Sequence, residues 1–261
     1  MPKKLALITG ASTGIGFELA QLAVDAGYDL LVVADEPLIE AAAADFRRNN
    51  AYVQAVEADL STIEGVDAVL AAAGGQRIEL LCANAGRGLG HGFLDQDVED
   101  WRRVVDTNIT GTLYLLQRVL RDMVAQDDGK VLITGSIAGF IPGSFQAVYN
   151  GSKAFVDSFA DALRNELKES KGVTITTLMP GPVETEFFDR ADMLDTSVGA
   201  DPKKSDPADV AKDGWDALMA GKAHIVSGWK NKLQAVAAHV TPAAVLAEQH
   251  RKIAEPGSVE E

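Results

Sequence analysis

The chain has 261 residues and a formal net charge of −14, with 47% hydrophobic and 24% charged residues. This balance is typical of a globular protein, and a single α/β domain often reaches this length. The acidity argues against nucleic acid and anionic membranes as partners, because both select clustered lysine and arginine. No apolar run approaches the roughly 18 to 20 residues that a membrane span needs.

The single cysteine and the N-terminal residues indicate the cellular compartment in which the protein is expected. Cys82 is the only cysteine and cannot form a disulfide within the chain, which favours a reducing cytoplasm. The apolar run at residues 5–9 is too short for a signal peptide and is interrupted by Gly10. We therefore expect a cytoplasmic protein in which Cys82 is a buried structural thiol.

Short β-rich runs alternate with helix-forming stretches along most of the chain. Strands are predicted at residues 5–9, 30–34, 52–57, 78–83, 130–134, 173–179 and 223–226. The segments between them are rich in Ala, Leu, Glu and Arg, as at residues 16–26 and 155–168. The alternation predicts a single doubly wound, Rossmann-type α/β domain over residues 1–255, with a mostly or wholly parallel seven-stranded sheet and helices on both faces.

Two segments depart from this alternation. Residues 184–209 mix apolar side chains with acids, glycine and two prolines. Long irregular insertions of this kind are usually disordered or act as lids, and the apolar residues here favour a substrate lid. Residues 230–254 are predicted to form a helical C-terminal tail.

A glycine-rich loop follows the first predicted strand, with the sequence Thr9-Gly10-Ala11-Ser12-Thr13-Gly14-Ile15-Gly16. Glycines let the backbone turn tightly and approach a pyrophosphate, and the next helix directs N–H groups and its positive dipole end at the anion. The spacing differs from the G-x-G-x-x-G fingerprint, so the loop by itself is a weak indication. Its position between a strand and a helix strengthens the prediction of a dinucleotide site.

Asp35 closes the second predicted strand. A carboxylate there can accept hydrogen bonds from both ribose hydroxyls of an adenosine and repels a 2′-phosphate. Asp35 is followed by Glu36, and no Arg or Lys in the glycine loop offsets these charges, so the sequence predicts NAD(H) in preference to NADP(H). The alternative is that Asp35 only starts the turn before Pro37.

Tyr149 and Lys153 lie four residues apart and would share one face of a helix. Free tyrosine has a pKa near 10, too high for a base at neutral pH, but one ammonium about 4 Å away supplies roughly the energy for a lowering of about three units. A Tyr-x-x-x-Lys pair also occurs on solvated helix surfaces. Ser136, at the end of an apolar strand, can donate to a substrate oxygen and hold it beside Tyr149.

Further motifs follow the glycine loop in a fixed order, namely Asp59-Leu60, Asn84-Ala85-Gly86, Asn108, Ser136, Tyr149-Asn150-Gly151-Ser152-Lys153 and Pro180-Gly181-Pro182-Val183-x-Thr185. In this order, and over about residues 3–230, they resemble the classical short-chain dehydrogenase/reductase family. The resemblance fades beyond residue 230.

The resemblance implies which residues bind the dinucleotide: Gly10, Ser12, Thr13, Gly14, Ile15, Gly16, Asp35, Asp59, Leu60, Asn84, Ala85, Gly86, Tyr149, Lys153, Pro180, Val183 and Thr185. Asp59 and Leu60 flank the adenine in this family, and Val183 and Thr185 match the positions that hold the nicotinamide carboxamide. Considered by itself, Asn84-Ala85-Gly86 would be interpreted as a turn at the end of a strand.

The resemblance also implies hydride transfer between NAD and a carbonyl or alcohol carbon, with Asn108, Ser136, Tyr149 and Lys153 as catalytic residues. Tyr149 would be the general acid and base, Lys153 would also bind the nicotinamide ribose, and Asn108 would hold a water in a proton path. By itself, Asn108 would be interpreted as a helix cap or a buried hydrogen bond. Family members commonly form homodimers or homotetramers through the tyrosine helix. The family's usual ending, in which an Asp-Gly-Gly turn follows the last strand, is missing here, so tetramer formation through the last strand is not expected.

The residues after the catalytic motifs and in the lid are expected to line a substrate pocket: Leu89, His91, Phe93, Ile137, Ala138, Phe140, Ile141, Phe145, Phe187, Phe188 and Met193. The predicted substrate contacts are Ser136, Ala138, Phe140, Tyr149, His91 and Phe187. Such an apolar lining predicts a hydrophobic or aromatic secondary alcohol or ketone. His91 is more often interpreted as a loop histidine without a catalytic role.

No His, Cys or carboxylate cluster has metal-ligand spacing, so no catalytic metal is predicted. Two other functions remain open on this fold, a non-catalytic dinucleotide-sensing protein and a lyase similar to the halohydrin dehalogenases. A sensing protein has no need for Ser136, Tyr149 and Lys153 together. The dehalogenases carry arginine in place of the lysine and a rebuilt glycine loop, so Lys153 and the intact glycines count against the lyase.

Overall fold

The computed structural model describes residues 3–47 and 51–259. All seven predicted strands are present, at β1 (Leu5–Thr9), β2 (Asp29–Ala34), β3 (Val53–Glu57), β4 (Ile78–Ala83), β5 (Gly129–Thr134), β6 (Val173–Met179) and β7 (His224–Val226). The predicted domain of residues 1–255 includes residues 1–2 and 48–50, which lie outside the described residues.

The strands form one sheet in the order β3-β2-β1-β4-β5-β6-β7, and every neighbouring pair is parallel. The strand order reverses between β1 and β4. Open α/β sheets bind ligands in the crevice outside the carboxyl ends of their strands at such a reversal. The predicted doubly wound parallel fold is confirmed, and it directs attention to this crevice.

Helices cover both faces of the sheet. They are α1 (Gly14–Asp25), α2 (Leu38–Phe46), α3 (Ile63–Ala72), α4 (Val98–Val105), α5 (Thr112–Ala125), α6 (Ala147–Glu166), α7 (Phe187–Arg190), α8 (Ser197–Ala200), α9 (Pro207–Met219), α10 (Trp229–Ala238) and α11 (Ala243–Ala254). Alternate residues of β1 point to opposite faces. Ala6 and Ile8 pack with α1, α2 and α9, whereas Leu5 and Leu7 pack with α3, α5 and α6. In the described part of the chain, no helix has the length and apolar character to cross a bilayer.

Cys82 in β4 is fully buried in the first of these cores. Burial raises the pKa of its thiol to about 12, so the reactive thiolate is disfavoured. The prediction of a buried structural thiol is confirmed.

Helix α6 begins earlier than the sequence predicted. A helix was expected over residues 155–168, but α6 begins at Ala147 and includes Tyr149 and Lys153 in its first two turns. Phe145, two residues before the helix, has a φ of 63°, a left-handed conformation that is uncommon for an aromatic residue. This turn directs the chain from the end of the β5 loop into α6 and so positions the tyrosine.

The segment at residues 184–209 contains the short helices α7 and α8, and a parallel bridge joins Val183 to Ser205 at its ends. Phe188 and Met193 are buried in a small cluster together with Ala254 of α11. The C-terminal tail therefore packs against the segment that the sequence analysis interpreted as a lid.

Candidate active site

One continuous cavity of about 560 Å³ follows the carboxyl ends of the strands. Its lining includes sixteen residues that the resemblance assigns to cofactor binding: Gly10, Ser12, Thr13, Gly14, Ile15, Asp35, Asp59, Leu60, Asn84, Ala85, Gly86, Tyr149, Lys153, Pro180, Val183 and Thr185. Gly16 lies just outside it, in the first turn of α1. Ser136 opens onto the same cavity, so three of the four predicted catalytic residues, Ser136, Tyr149 and Lys153, share it with most of the predicted dinucleotide residues.

The glycine loop has a backbone geometry that suits a bound anion. Gly10 and Gly14 have φ of 65° and 59°, where a side chain would be strained. A Cβ at position 16 would lie 2.0 Å from the Gly10 carbonyl oxygen, so close packing of α1 requires glycine there. Thr13 precedes α1 without a side-chain capping bond, which leaves the first N–H groups of the helix for a ligand. These features fit the pyrophosphate of a dinucleotide.

Asn84 joins three strand ends below the cavity. Its Nδ2 donates to the Thr9 carbonyl at 3.1 Å, and its Oδ1 accepts from Thr134 Oγ1 at 3.0 Å. Its backbone N–H donates to Thr9 Oγ1 at 3.0 Å. Asn84 therefore fixes β1, β4 and β5 against one another and shapes the floor of the cavity.

Asp35 lies at the end of β2, and its carboxylate pairs with two arginines. Its Oδ2 accepts from Arg87 at 2.7 Å and from Arg103 at 3.2 Å. Arg103 also pairs with Asp59 at 3.2 Å. Burial by itself would raise the pKa of Asp59, but hydrogen bonds from Ser61 and the charges of Arg103 and Arg87 hold that pKa below its ordinary value.

Glu36 is also paired. Its two carboxylate oxygens accept from Arg190 Nη2 at 2.8 and 2.9 Å, and Ser12 Oγ donates to the first of them. The sequence analysis treated Asp35 and Glu36 as uncompensated because the glycine loop has no basic residue. The loop has no basic residue, as the sequence shows, but arginines 52 to 154 residues further along the chain pair with both carboxylates.

Ser136 follows β5 and lies beside the tyrosine. Its Oγ accepts from the Ala138 N–H at 3.1 Å and makes only a long contact of 3.4 Å to the Pro180 carbonyl. The Ser136 hydroxyl lies near enough to Tyr149 to lower the pKa of the tyrosine, against the effect of burial. The two hydroxyls predicted to hold the substrate oxygen are therefore adjacent.

Lys153 is buried one turn further along α6. Its Nζ donates to the Thr134 carbonyl at 2.8 Å and lies 6.0 Å from the centroid of the Tyr149 ring. A Cβ at Gly86 would approach this Nζ to 3.4 Å. The glycine thus leaves room for the ammonium group at the floor of the cavity.

Burial shifts the pKa values at this centre. Burial raises the pKa of Tyr149 to about 12, although the nearby Ser136 hydroxyl opposes the shift. Burial also lowers the pKa of Lys153 to about 8, opposed by the charge of Asp157. Burial therefore dominates the pKa of Tyr149 here, and its lowering by Lys153 and the nicotinamide charge stays a prediction.

Asp157 is a buried acid that the sequence analysis did not identify. It is 5% exposed and lies one turn after Lys153 on α6. Glycines at positions 135 and 139 make room for it, since a Cβ there would lie 1.9 and 2.5 Å from its carboxylate oxygens. Burial raises the pKa of Asp157 to about 7, opposed by the charge of Lys153. The four-residue spacing from Tyr149 through Lys153 is the signal that could have revealed it.

Asn108 lies in a π-helical turn, Asp106–Gly111, between α4 and α5. Such turns are rare and occur frequently at functional sites. Its Oδ1 accepts from the Arg87 N–H at 2.8 Å, and its Nδ2 donates to the Arg87 carbonyl and to Ser152 Oγ, both at 2.9 Å. Asn108 does not line the cavity, and its amide fixes the backbone of Arg87. A role in holding a water stays a prediction.

The substrate side of the cavity contains four of the predicted contacts, Ser136, Ala138, Tyr149 and Phe187. The ring centroids of Tyr149 and Phe187 are 5.1 Å apart. Phe187 also covers Gly88, where a Cβ would lie 2.5 Å from the ring. Of the wider predicted set, Ile137, Ile141 and Phe188 line the cavity, whereas Leu89, Phe93, Phe145 and Met193 do not.

His91 and Phe140 are corrections to the predicted substrate contacts. His91 has a φ of 69°, and its Nε2 lies 2.8 Å from the Asp192 carboxylate outside the cavity lining. Phe140 packs on His239, which directly follows α10, with ring centroids 5.2 Å apart. Both residues follow a strand end closely in sequence, but the local turn directs their side chains elsewhere.

The C-terminal helices contribute cavity residues that the sequence analysis missed. Gln234 of α10 and both His250 and Ile253 of α11 line the cavity. The tail carries no motif of its own and lies beyond the region of resemblance. Its contribution follows only from the way that α11 packs on the rest of the molecule.

This geometry defines a class of protein, a dinucleotide-binding oxidoreductase on a doubly wound sheet, and known proteins agree. Residues 4–194 match the family model described as short chain dehydrogenase. An uncharacterized oxidoreductase of Staphylococcus saprophyticus is 33% identical over 220 residues, which cover 83% of this chain and 91% of the relative. The chain therefore belongs to the short-chain dehydrogenase/reductase family.

Solved structures support the same conclusion. A short-chain dehydrogenase from Sphingobium yanoikuyae in complex with NADPH has a TM-score of 0.81 and 28% identity, over 91% of this chain and 93% of that one. A short-chain dehydrogenase/reductase from Burkholderia phymatum in complex with NAD has a TM-score of 0.82 and 25% identity, over 92% and 94% of the two chains. Members similar to this protein thus bind either dinucleotide.

Proposed function

We propose that this protein is an NAD-dependent oxidoreductase that interconverts a secondary alcohol and a ketone, with Tyr149 as general acid and base. The observation that carries the proposal is the opening of Ser136, Tyr149 and Lys153 onto the cavity that also follows the glycine loop. The nicotinamide cofactor supplies or accepts the hydride when it is bound along that loop.

Ser136, Tyr149 and Lys153 have different roles in the proton transfer. Ser136 donates to the substrate oxygen and holds it against the tyrosine hydroxyl. Tyr149 gives a proton to that oxygen during ketone reduction and removes it during alcohol oxidation. Lys153, with Nζ 6.0 Å from the tyrosine ring, stabilises the phenolate through its charge. Phe187 covers the tyrosine and excludes water from the reacting atoms.

The substrate side of the cavity is mostly apolar. Ile137, Ile141, Phe187 and Phe188 line it and offer no charged group to a ligand. Pockets of this composition bind apolar molecules and orient them through a few polar groups. This supports a hydrophobic or aromatic secondary alcohol or ketone as substrate.

Asp35 supports NAD as the preferred cofactor. Its carboxylate lies at the end of β2, where it can accept hydrogen bonds from the two ribose hydroxyls. When the ribose binds, its hydroxyls replace part of the contact between Arg87 and Asp35. The contact between Arg103 and Asp35 can remain. Family membership does not decide the question, since similar members bind NADPH or NAD.

A spectrophotometric assay tests the proposal against its two rivals. The protein is incubated with NAD and a panel of hydrophobic secondary alcohols, and reduced cofactor and ketone are both quantified. Equal amounts of the two products support the proposed function. Binding of NAD without turnover of any alcohol or ketone would indicate a sensing protein, and halide release from halohydrins without reduced cofactor would indicate the lyase.

The pH dependence of ketone reduction follows from the buried tyrosine. Because burial raises the pKa of Tyr149 to about 12, the proton that reduction requires is present throughout the neutral range. We expect kcat/KM for reduction to change little near pH 7, where the Asp157 carboxyl ionises, and to fall above about pH 8, as Lys153 loses its proton. Alcohol oxidation, which needs the phenolate, should rise with pH. If kcat/KM for reduction fell tenfold as the pH was raised from about 6 to about 7.5, Tyr149 would not be the proton donor.

We also propose a cytoplasmic homodimer or homotetramer that pairs through α6. Phe155 on α6 is 42% exposed and stacks on Phe159 at a centroid distance of 6.1 Å, which leaves an aromatic surface on that helix. Light scattering at micromolar concentration should give at least a dimer, and Phe155→Glu should shift the protein toward monomer. An unmodified protein that is entirely monomeric would refute the pairing.

A further inference from the structure

The substrate side of the cavity contains two polar side chains that the proposed mechanism does not use. Gln146 directly precedes α6 and is 5% exposed, and His250 of α11 is 8% exposed. Both line the cavity together with Tyr149. Gln146 directly precedes the first turn of α6 and Tyr149 lies in that turn, so both side chains border the cavity at the same end of the helix.

The hydrogen bond of His250 determines which of its nitrogens is an acceptor. Nδ1 lies 2.9 Å from the Ser144 carbonyl oxygen, which can only accept, so Nδ1 carries the hydrogen. Burial lowers the pKa of His250, although the contact with Ser144 opposes the shift, and the ring is neutral at pH 7. Nε2 is therefore an unprotonated acceptor, and it has no hydrogen-bond partner within residues 3–47 and 51–259.

Gln146 offers the complementary group. Its Nε2 is buried, and no described residue accepts a hydrogen bond from it. Buried amide donors are almost always paired, because an unpaired one loses its bonds to water without replacement. A ligand group that accepts from Gln146 would remove this penalty.

The loop before α6 holds these two residues together. Ser144 Oγ donates to the Ala247 carbonyl at 2.9 Å, and the Arg251 guanidinium lies 4.9 Å from the centroid of the Phe145 ring. With the bond between His250 and Ser144, α11 makes three contacts with two consecutive positions, Ser144 and Phe145, directly before Gln146. The relative placement of the acceptor and the donor is therefore fixed by packing rather than by a mobile loop.

We infer that Gln146 and His250 form a second recognition point, which binds an uncharged hydroxyl group of the substrate a few bonds from the reacting carbonyl. The inference rests on the proposed function. A hydroxyl can donate to Nε2 of His250 and accept from Nε2 of Gln146 at the same time. A methyl group leaves both unpaired, and a carboxylate cannot donate to the neutral imidazole. The substrate class is thus a hydroxyketone or the corresponding diol.

Matched ketones test the inference. 4-Hydroxy-2-butanone and 2-pentanone differ only by a hydroxyl in place of a methyl, as do 5-hydroxy-2-pentanone and 2-hexanone at one carbon further. In at least one pair we expect kcat/KM for the hydroxyketone to exceed that for the plain ketone by about tenfold or more, since sites built for a hydroxyl reject analogues without it. A hydroxyketone that is no better than its partner in both pairs overturns the inference.

Two variants assign the effect to these residues. His250→Asn retains an amide donor for the Ser144 carbonyl but lacks the Nε2 acceptor, and Gln146→Leu retains side-chain size but lacks the amide. In each variant the ratio between the paired ketones should fall to near one. His239→Asn, directly after α10 and outside the cavity lining, is the matched control and should keep the ratio. A ratio unchanged in both test variants overturns the assignment.

Failure of the proposed function is distinguishable from failure of this inference. If no ketone is turned over, the proposed function fails, and binding of the same pairs is then compared by saturation-transfer NMR. Tighter binding of the hydroxyketone, lost in His250→Asn, would still support the recognition point. Equal binding of the two ketones would overturn it.

Discussion

Replacing Tyr149 by phenylalanine is expected to reduce turnover by several orders of magnitude and to leave cofactor binding intact. The substitution keeps the ring, which packs 5.1 Å from Phe187, and removes the hydroxyl that exchanges a proton with the substrate. Loss of a group that acts as one unit with Ser136 and Lys153 removes most of their combined effect as well. The measurement is kcat for alcohol oxidation, with cofactor affinity followed by fluorescence.

Tyr114 provides a matched control for this variant. Tyr114 lies on α5, outside the cavity lining, and its hydroxyl donates to the Asp67 carboxylate of α3 at 2.8 Å. Tyr114→Phe removes the same atom elsewhere and should leave kcat within about twofold, as is usual for surface substitutions. Near-normal turnover in folded Tyr149→Phe would contradict the assignment of the general acid and base.

Replacing Asp35 by alanine is expected to change the cofactor preference from NAD to NADP. In the unmodified protein we expect NAD to be favoured by about a hundredfold, because Asp35 loses its ribose hydrogen bonds and repels the 2′-phosphate when NADP binds. Asp35→Ala removes this repulsion and leaves Arg87 and Arg103 without their shared carboxylate. Guanidinium groups bind phosphate well, so kcat/KM should then favour NADP by about tenfold.

A double variant separates the two contributions. Asp35→Ala combined with Arg87→Met should retain the loss of NAD affinity but gain much less activity with NADP. Equal kcat/KM for both cofactors in the unmodified protein would mean that Asp35 does not select the ribose. An Asp35→Ala variant that still prefers NAD would mean that Arg87 does not reach the phosphate.

The strands were predictable because their signal is local. The central strands are short apolar runs bounded by turn residues, and burial on both faces makes the run continuous, as in Val131 to Ile133. The start of α6 was not predictable in the same way. Residues 147–154 lack a strong apolar pattern, and the helix begins there because the turn at Phe145 and the packing of Lys153 and Asp157 under the β5 loop determine it.

The glycine loop and the Ser–Tyr–Lys group could be identified from sequence because their chemistry requires particular residues at fixed spacing. The arginines that pair with Asp35 and Glu36 could not be identified from sequence. No local sequence pattern marks a surface arginine that pairs with a distant carboxylate, because the tertiary fold alone brings the two together. His250 is a similar case, because only the docking of α11 brings it to the cavity. His91 shows the reverse error, since closeness to a motif in sequence did not bring its side chain to the site.

In the proposed reaction, a hydride moves between a secondary alcohol carbon and the nicotinamide in this cavity. The most direct measurement uses an alcohol that carries deuterium on the carbinol carbon, with NAD in ordinary water, and mass spectrometry of the reduced cofactor. We predict that each reduced cofactor contains one deuterium from the alcohol and that Tyr149→Phe nearly abolishes its formation. Alcohol consumed without deuterium in the cofactor, or no transfer from any alcohol in the panel, would contradict the account.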